Sequence, residues 1–340
     1  MLDDLLRAAV PGVASAAVAL IAVDGRQVAG AAVGEAVRFA DASGTLLRDR
    51  PPAALDSVFD LASITKLFTT VVLLSLAEDD RLDLDEPVAM WLPRHYGDRP
   101  EITVRHLLTH TSGLPASRRT ADWDAILSTP AWHPAGTYVY SDVGLITAGR
   151  VAEIAGDEPL DVLVRERITG PLRLTDTVYR PGRALLPRTV ATEHRPGRPG
   201  TGCVRGTVHD ETAYGLGGVT GHAGLFGTAA DLLRFGEALR AGADGVLSRH
   251  TAAEMTRDQG VSGAGFRQGL GVRIGDPAVA GPLTRGFGHS GFTGTSLLVD
   301  PGHRLTVVLL TNNVHPVRGR PGIRELRHAV AAEALRLAAG

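Results

Sequence analysis

The sequence predicts an α+β fold: one antiparallel sheet built from both termini and flanked by helices, with a helical lobe inserted between them. Three observations predict it. Two apolar runs, Ala14 to Val23 and Gln27 to Val33, flank Asp24-Gly25, which is a hairpin signal. Two more, Gly294 to Asp300 and Arg304 to Asn312, flank Asp300-Pro301-Gly302-His303, a second hairpin. The segments between these ends read as helices. The sheet lobe is expected over roughly 1–58 and 262–340 and the helical lobe over roughly 59–261, and there are no internal repeats.

The elements follow in order. Leu2 to Ala9 reads as a short helix ended by Pro11-Gly12, and the first hairpin comes next. Arg38 to Ser57 is a polar connection. Asp60 is placed to N-cap a helix over Leu61 to Ala77. That stretch is apolar nearly all round, so it predicts a buried helix, and the charged run Glu78 to Glu86 ends it. Thr103 to Thr109 is a further helix, followed by the loop Thr111-Ser112-Gly113-Leu114-Pro115. Trp132 to Thr137 is a turn, and Val143 to Ala155 is helical. Arg180 to Arg205 is a loop rich in Pro, Arg and Gly, and Tyr214 to Gly227 is glycine-dense. Thr228 caps a helix over Ala229 to Arg240, with Asp231 completing a capping-box-like pattern. Ile323 to Ala339 is a terminal amphipathic helix.

Composition narrows the function. A chain of 340 residues with 44% hydrophobic and 21% charged residues is an ordinary globular protein. A net charge of -2 argues against a nucleic-acid partner. The single cysteine, Cys203, excludes an intrachain disulfide and a cysteine-based zinc site, and it reads as a small buried hydrophobe. No apolar run approaches the roughly 18 residues of a membrane span. Met1-Leu2-Asp3-Asp4 is acidic where a secretory signal is basic, so the expectation is a cytoplasmic protein without a membrane partner.

The charged residues hold a sharper signal. Lysine and arginine total 35, and Lys66 is the only lysine. Arginine keeps its proton at any working pH, whereas a buried lysine can give it up. Ser63-Ile64-Thr65-Lys66 sets a hydroxyl and that amine three apart near a helix start, a spacing that puts them on one face. Serine becomes a nucleophile when a neighbouring base takes its proton, and a desolvated lysine can be that base.

Two further groups could join this pair. In Tyr140-Ser141-Asp142 the tyrosine hydroxyl could shuttle a proton and Asp142 could bond the lysine or the substrate. The plainer reading is a buried tyrosine and a capping aspartate. His289-Ser290-Gly291 lies on or near a strand facing the last hairpin, where glycine lets a ligand approach closely. The N–H groups of Ser63 and Phe292 could form an oxyanion hole. Arg285, on the same face if the strand is regular, could supply a positive charge. His209, Asp210 and His222 could in principle bind a metal, but loop hydrogen bonding accounts for them better, and His106 and His110, at i and i+4, resemble a metal pair too. No metal and no cofactor are expected.

These motifs together resemble the serine beta-lactamase and penicillin-binding superfamily, and within it the branch of class C beta-lactamases, D-alanyl-D-alanine carboxypeptidases and esterases. The resemblance rests on Phe59-Asp60-Leu61-Ala62-Ser63-Ile64-Thr65-Lys66, Leu107-Leu108-Thr109-His110-Thr111-Ser112-Gly113-Leu114-Pro115, Gly221-His222-Ala223-Gly224-Leu225-Phe226 and His289-Ser290-Gly291-Phe292-Thr293-Gly294. It covers residues 10 to 335 as a single domain. It implies a beta-lactamase-like fold, a serine nucleophile at Ser63, and proton movement by Lys66 and Tyr140. It also implies an oxyanion hole from the Ser63 and Phe292 N–H groups, and substrate contacts from Asp142, His289, Ser290, Gly291 and Arg285. Two positions depart from the family pattern. Asp142 stands where asparagine is frequent, and it favours the protonated lysine. His289 stands where many beta-lactamases have lysine, and histidine is mostly neutral at pH 7. The expected activity is hydrolysis of an amide or ester through an acyl-enzyme, with peptidase or esterase ahead of beta-lactamase. The alternatives are acyl transfer through the same intermediate and a ligand-sensing module without turnover. The expected partner is a small or peptide-like substrate.

Overall fold

The computed structural model describes residues 1–198 and 202–339. Ten strands and eleven α-helices are present among them. The main sheet has seven strands in the order β2-β1-β10-β9-β8-β7-β6, all antiparallel. These are β1 Ala16–Val23, β2 Arg26–Gly34, β6 Arg267–Gln268, β7 Arg273–Ile274, β8 Phe287–Ser290, β9 Ser296–Asp300 and β10 Leu305–Thr311. The two ends of the chain meet at the pairing of β1 with β10. Both hairpins fall where the turn residues place them. Asp24 and Gly25 have φ of 52° and 78°, the geometry of a two-residue turn whose twist matches the flanking strands. Asp300 closes the second hairpin by accepting the His303 N–H at 3.1 Å.

Strand β1 is an unbroken apolar run because both faces of the sheet are covered. Its side chains alternate between two cores. Ala17, Ala19 and Ile21 pack with α1 (Leu2–Ala9) and α11 (Ile323–Ala338). Val18 and Leu20 face the larger core, which runs on through the helices of the middle of the chain. Those helices are α2 Thr65–Glu78, α3 Pro93–Tyr96, α4 Val104–Leu108, α5 Trp123–Leu127, α6 Asp142–Gly156, α7 Leu160–Val164, α8 Glu211–Gly215, α9 Ala229–Arg240 and α10 Arg249–Thr256. Helix α2 is buried from Thr65 to Leu76, as its apolar surround predicts. Helix α9 falls in the segment that the sequence assigns to the helical lobe, yet it packs on β1, β9 and β10. Phe68 of α2 stacks on Phe235 of α9 with ring centroids 4.1 Å apart, so the core is continuous between sheet and helices. Such a pair adds about 0.5–1.5 kcal/mol beyond its buried area.

Several local expectations are corrected. Asp60 does not N-cap a long helix. It lies in β3 (Phe59–Asp60), which joins β5 (Leu225–Gly227) and β4 (Val178–Tyr179) in a small second sheet. A single 3-10 turn, Ala62–Ile64, then precedes α2. Thr228 caps α9 as expected, but the Asp231 carboxylate accepts instead from the Asp176 N–H and the Thr177 hydroxyl. The loop read over 180–205 contains the 3-10 turn Leu186–Arg188, and its residues 199–201 lie outside the described residues. No helix among the described residues is long and apolar enough to cross a membrane.

Candidate active site

Ser63 sits in the turn between β3 and α2. The buried Asp60 carboxylate holds this turn, with one oxygen accepting the Ala62 N–H at 2.9 Å and the other the His209 N–H at 2.6 Å. Ala62 has φ of 48°, a left-handed conformation that costs a non-glycine residue roughly 1–3 kcal/mol. Strain of this kind collects where a side chain has to be presented in a fixed direction. Ser63 opens onto a cleft of about 580 Å³ also lined by Tyr140, Asp142, Arg273, Ser290, Gly291 and Phe292.

At the second residue of α2, Lys66 is fully buried. Its Nζ lies 3.0 Å from Ser63 Oγ, 3.1 Å from the His222 carbonyl oxygen and 2.8 Å from Asp142 Oδ1. The contact with Asp142 is an ion pair set off the axis of a hydrogen bond. Burial alone pushes the ammonium down, but Asp142 and Tyr140 outweigh it and hold Lys66 above its ordinary value. Two hydrogen-bond acceptors and an ion-paired carboxylate around one buried nitrogen are the surroundings of an ammonium ion.

The cleft needs a close backbone approach behind this lysine. The segment around Gly221 is wedged between α2 and α6. Thr69 Oγ1 donates to the Gly221 carbonyl at 2.8 Å, and a Cβ on Gly221 would stand 2.1 Å from the Leu145 carbonyl. The glycine-dense run read from sequence therefore serves to bring the His222 carbonyl to Lys66.

Tyr140 is caged. Its ring centroid is 4.6 Å from that of His110 and 6.0 Å from that of His289. Lys66 Nζ lies 5.1 Å and Arg273 Cζ 4.5 Å from the same centroid. Negative charge developing on the phenol oxygen would thus be met by two cations. Ser141 N-caps α6 by accepting the Gly144 N–H at 3.0 Å, which fixes Tyr140 and Asp142 on either side of the cap. His110, also left-handed at φ 58°, accepts the Ser141 N–H on Nδ1 at 3.1 Å. Burial first, then Lys66 and Arg273, hold the His110 ring well below the usual histidine range.

The third motif divides. Ser290, Gly291 and Phe292 line the cleft, and Phe292 is 58% exposed there. A Cβ on Gly291 would meet Thr295 Oγ1 at 2.1 Å and the Leu61 carbonyl at 2.6 Å, so only glycine lets β8 run this close to the serine turn. His289 lies behind that wall, 1% exposed, with Nδ1 2.8 Å from the Ser290 carbonyl. Burial, with Arg273 and Lys66, keeps it well below the usual histidine range, so it is neutral. Arg285 is elsewhere: the regular strand begins only at Phe287, and Arg285 is exposed in the turn before it. Of the arginines lining the cleft, which also include Arg119, Arg318 and Arg327, the one set against the Tyr140 ring is Arg273 of β7, a residue not singled out by the sequence. It pairs with Asp276 at 3.0 Å and reaches the cleft because β7 registers Arg273 opposite Gly288.

The other histidines read from the sequence, His106, His209 and His222, are hydrogen-bonding groups. His106 Nδ1 accepts the Thr103 N–H in the cap of α4. His209 lies 2.8 Å from Glu193 Oε2, and His222 lies 3.0 Å from Asp210 Oδ1. Among the described residues no group of three or more His, Cys, Asp or Glu side chains is arranged to hold a metal ion. Cys203 is buried, and its thiol is pushed up to about 11.

Comparison with known proteins places this architecture. The family model described as Beta-lactamase matches residues 2–332. An N-acetylmuramyl-L-alanine amidase of Bacillus subtilis is 31% identical over 93% of this chain and 80% of its own length. A putative D-alanyl-D-alanine carboxypeptidase of Escherichia coli is 30% identical over 80% of this chain and 73% of its own. A penicillin-binding protein homolog from Caulobacter crescentus superposes with a TM-score of 0.74 at 22% identity, covering 98% of this chain and 96% of the other.

Proposed function

The chain belongs to the beta-lactamase family and is a serine hydrolase of that type acting on an amide or ester; from that premise we propose that its acyl-enzyme forms on Ser63, and that its preferred substrate is a small or peptide-like amide with a carboxylate on the leaving-group side. The observation that carries the nucleophile is the 3.0 Å contact of Lys66 Nζ with Ser63 Oγ inside the cleft. What supports the carboxylate is Arg273, a largely buried cation on the cleft wall, together with relatives named for carboxypeptidase and amidase activity.

The proposed steps use the geometry directly. Lys66, held as an ammonium by Asp142, orients Ser63 Oγ and opposes charge on it. In the reactive form Tyr140 is the phenolate, flanked by the Lys66 and Arg273 cations, and its oxygen takes the Ser63 proton as Oγ bonds to the substrate carbonyl carbon. The carbonyl π pair moves onto oxygen, to which the Ser63 and Phe292 N–H groups donate as an oxyanion hole. Tyr140 then passes the proton to the leaving nitrogen, the C–N bond breaks, and water repeats the sequence to release the acid. His289, neutral and behind the wall, supports the Tyr140 ring rather than contacting substrate. The absence of a nucleic-acid partner and a cytoplasmic location remain part of the proposal.

The test is a panel of nitrophenyl esters, D-amino-acid amides and peptides, and a chromogenic cephalosporin, with mass spectrometry of the trapped enzyme. An adduct on Ser63 that is lost in Ser63→Ala is expected, with turnover greatest for substrates carrying a free carboxylate. Labelling that persists in Ser63→Ala at another serine overturns the nucleophile. Equal turnover of carboxylate and carboxamide substrates overturns the Arg273 assignment. Added alcohols or amines that divert the acyl group into ester or amide would move the reading to acyl transfer.

A further inference from the structure

The Lys66 ammonium has one acceptor whose placement the catalytic residues do not explain. The His222 carbonyl belongs to an irregular segment just before β5. A backbone oxygen in such a segment stays in place only if something holds the chain. The His222 side chain, 1% exposed, is bound at both ring nitrogens. Nε2 lies 3.0 Å from Asp210 Oδ1. Nδ1 lies 2.9 Å from Thr220 Oγ1, whose own proton goes to the Ala223 carbonyl at 2.8 Å, so the hydroxyl accepts from the ring. Asp210 is itself fixed, because Oδ1 also accepts the Ala213 N–H at 2.7 Å as the N-cap of α8. Burial tends to raise the Asp210 carboxyl, but His222, the Ala213 N–H and Lys66 hold it well below the usual range.

We propose that Asp210, His222 and Thr220 form a strut that fixes the His222 carbonyl against Lys66, and so sets the direction in which the ammonium presents its N–H to Ser63. The three are positioning residues. This inference rests on the assignment of Ser63 and Lys66 as reacting groups made above. A rate effect follows from geometry: a reacting group misplaced by about 1 Å can cost roughly 10²-fold. A pH effect follows as well. An ammonium that loses one acceptor gives up its proton more readily, so the alkaline limb of the rate profile moves toward acid. The other titratable groups around Lys66 are Asp142, Tyr140, Asp210, His222, His110 and His289, with Arg273 beyond the tyrosine. Of these, Asp210 and His222 belong to the strut.

Two variants separate positioning from charge. Asp210→Ala breaks the strut and removes a negative charge near Lys66. Thr220→Val breaks it from the opposite side of the ring with no change in charge and almost none in volume. For both we expect a kcat loss of about 10–100-fold at nearly constant KM, an alkaline limb moved toward acid, and a burst adduct on Ser63 that forms correspondingly slowly. If Asp210→Ala moves the limb and Thr220→Val leaves rate and limb at wild type, Asp210 acts by charge alone and the strut is overturned. A change confined to KM overturns it in favour of substrate contact by Asp210. Lowered melting temperature with unchanged kcat and limb overturns it in favour of simple capping of α8. A wild-type enzyme that turns over without any Ser63 adduct removes the underlying assignment and the strut with it, whereas a normal wild-type adduct with unaffected variants removes the strut only.

Discussion

Tyr140→Phe removes one oxygen from the cleft and leaves the ring. The ring's neighbours are the His110 ring at 4.6 Å, the Arg273 guanidinium at 4.5 Å and the Lys66 ammonium at 5.1 Å, and all of these contacts survive the change. The folded state should therefore keep its melting temperature within a few degrees. The reaction should not survive so well. If the tyrosine oxygen carries the Ser63 proton, its loss costs the typical 10²–10⁴ of a general base, or about 3–5 kcal/mol in the barrier. An activated ester can hide part of that deficit, since its leaving group departs without being protonated. The measurement is single-turnover acylation with an amide and a nitrophenyl ester side by side, with thermal melts of both proteins. The expected result is a deficit of about 10²–10⁴ on the amide and a smaller one on the ester. Amide acylation within tenfold of wild type, at an unchanged melting temperature, would refute the assignment and return the base role to Lys66. Lys66→Arg is the companion variant. It keeps the charge, but a planar guanidinium cannot set one nitrogen against Ser63 Oγ, the His222 carbonyl and the Asp142 carboxylate at 2.8–3.1 Å, and activity should fall by a comparable factor.

Asp142→Asn should shift the pH profile. The carboxylate holds Lys66 above its ordinary value, so its neutral replacement lets the ammonium lose its proton at lower pH, and the alkaline limb of kcat/KM should move toward acid; an unmoved limb means the pair does not form in solution. His289 is held neutral by burial, Arg273 and Lys66, so its ring resonances should stay flat between about pH 6 and 8 in a histidine NMR titration. Acid must eventually charge that ring against two cations, so it lowers stability as pH falls. Gly221→Ala forces a Cβ to within 2.1 Å of the Leu145 carbonyl and 2.9 Å of the Gly149 backbone. Urea unfolding should show a loss of at least about 1–3 kcal/mol, and wild-type stability would mean the α2–α6 wedge is looser than described.

What the sequence made legible was local. The hairpins are read correctly because Asp24-Gly25 and Asp300-Pro301-Gly302-His303 select their own turn geometry. Ser63 and Lys66 are legible as a pair because the i, i+3 spacing is local, spanning the 3-10 turn and the first residues of α2, and the lysine has no other copy in the chain to compete with it. Tyr140 and Asp142 stand in one tripeptide at a helix start, although the cap falls on Ser141 rather than on the aspartate. The misreadings occur where contacts cross the fold. Asp60 looks like a cap because aspartate before an apolar run usually is one. Its second oxygen is taken by the His209 N–H, 149 residues away, and that bond turns a cap into the brace of the serine turn. Asp231 has the spacing of a capping box, yet Asp176 and Thr177 take its carboxylate.

The cleft arginine shows the same limit with a functional consequence. Choosing Arg285 assumes that the strand bearing His289 extends back four residues, but it starts at Phe287 and the preceding turn exposes Arg285. Arg273 is delivered by two-residue β7, too short to leave a period-2 pattern, through a register set opposite Gly288. That glycine carries no side chain to compete, and a Cβ there would stand 2.0 Å from the Leu297 carbonyl. The cation therefore depends on three neighbouring strands, β7, β8 and β9, holding one register. A one-residue slip of β7 would turn Arg273 to the other face of the sheet. It would leave Tyr140 with Lys66 alone as a flanking cation, so the chemistry of the tyrosine is tied to sheet pairing rather than to any motif that contains it.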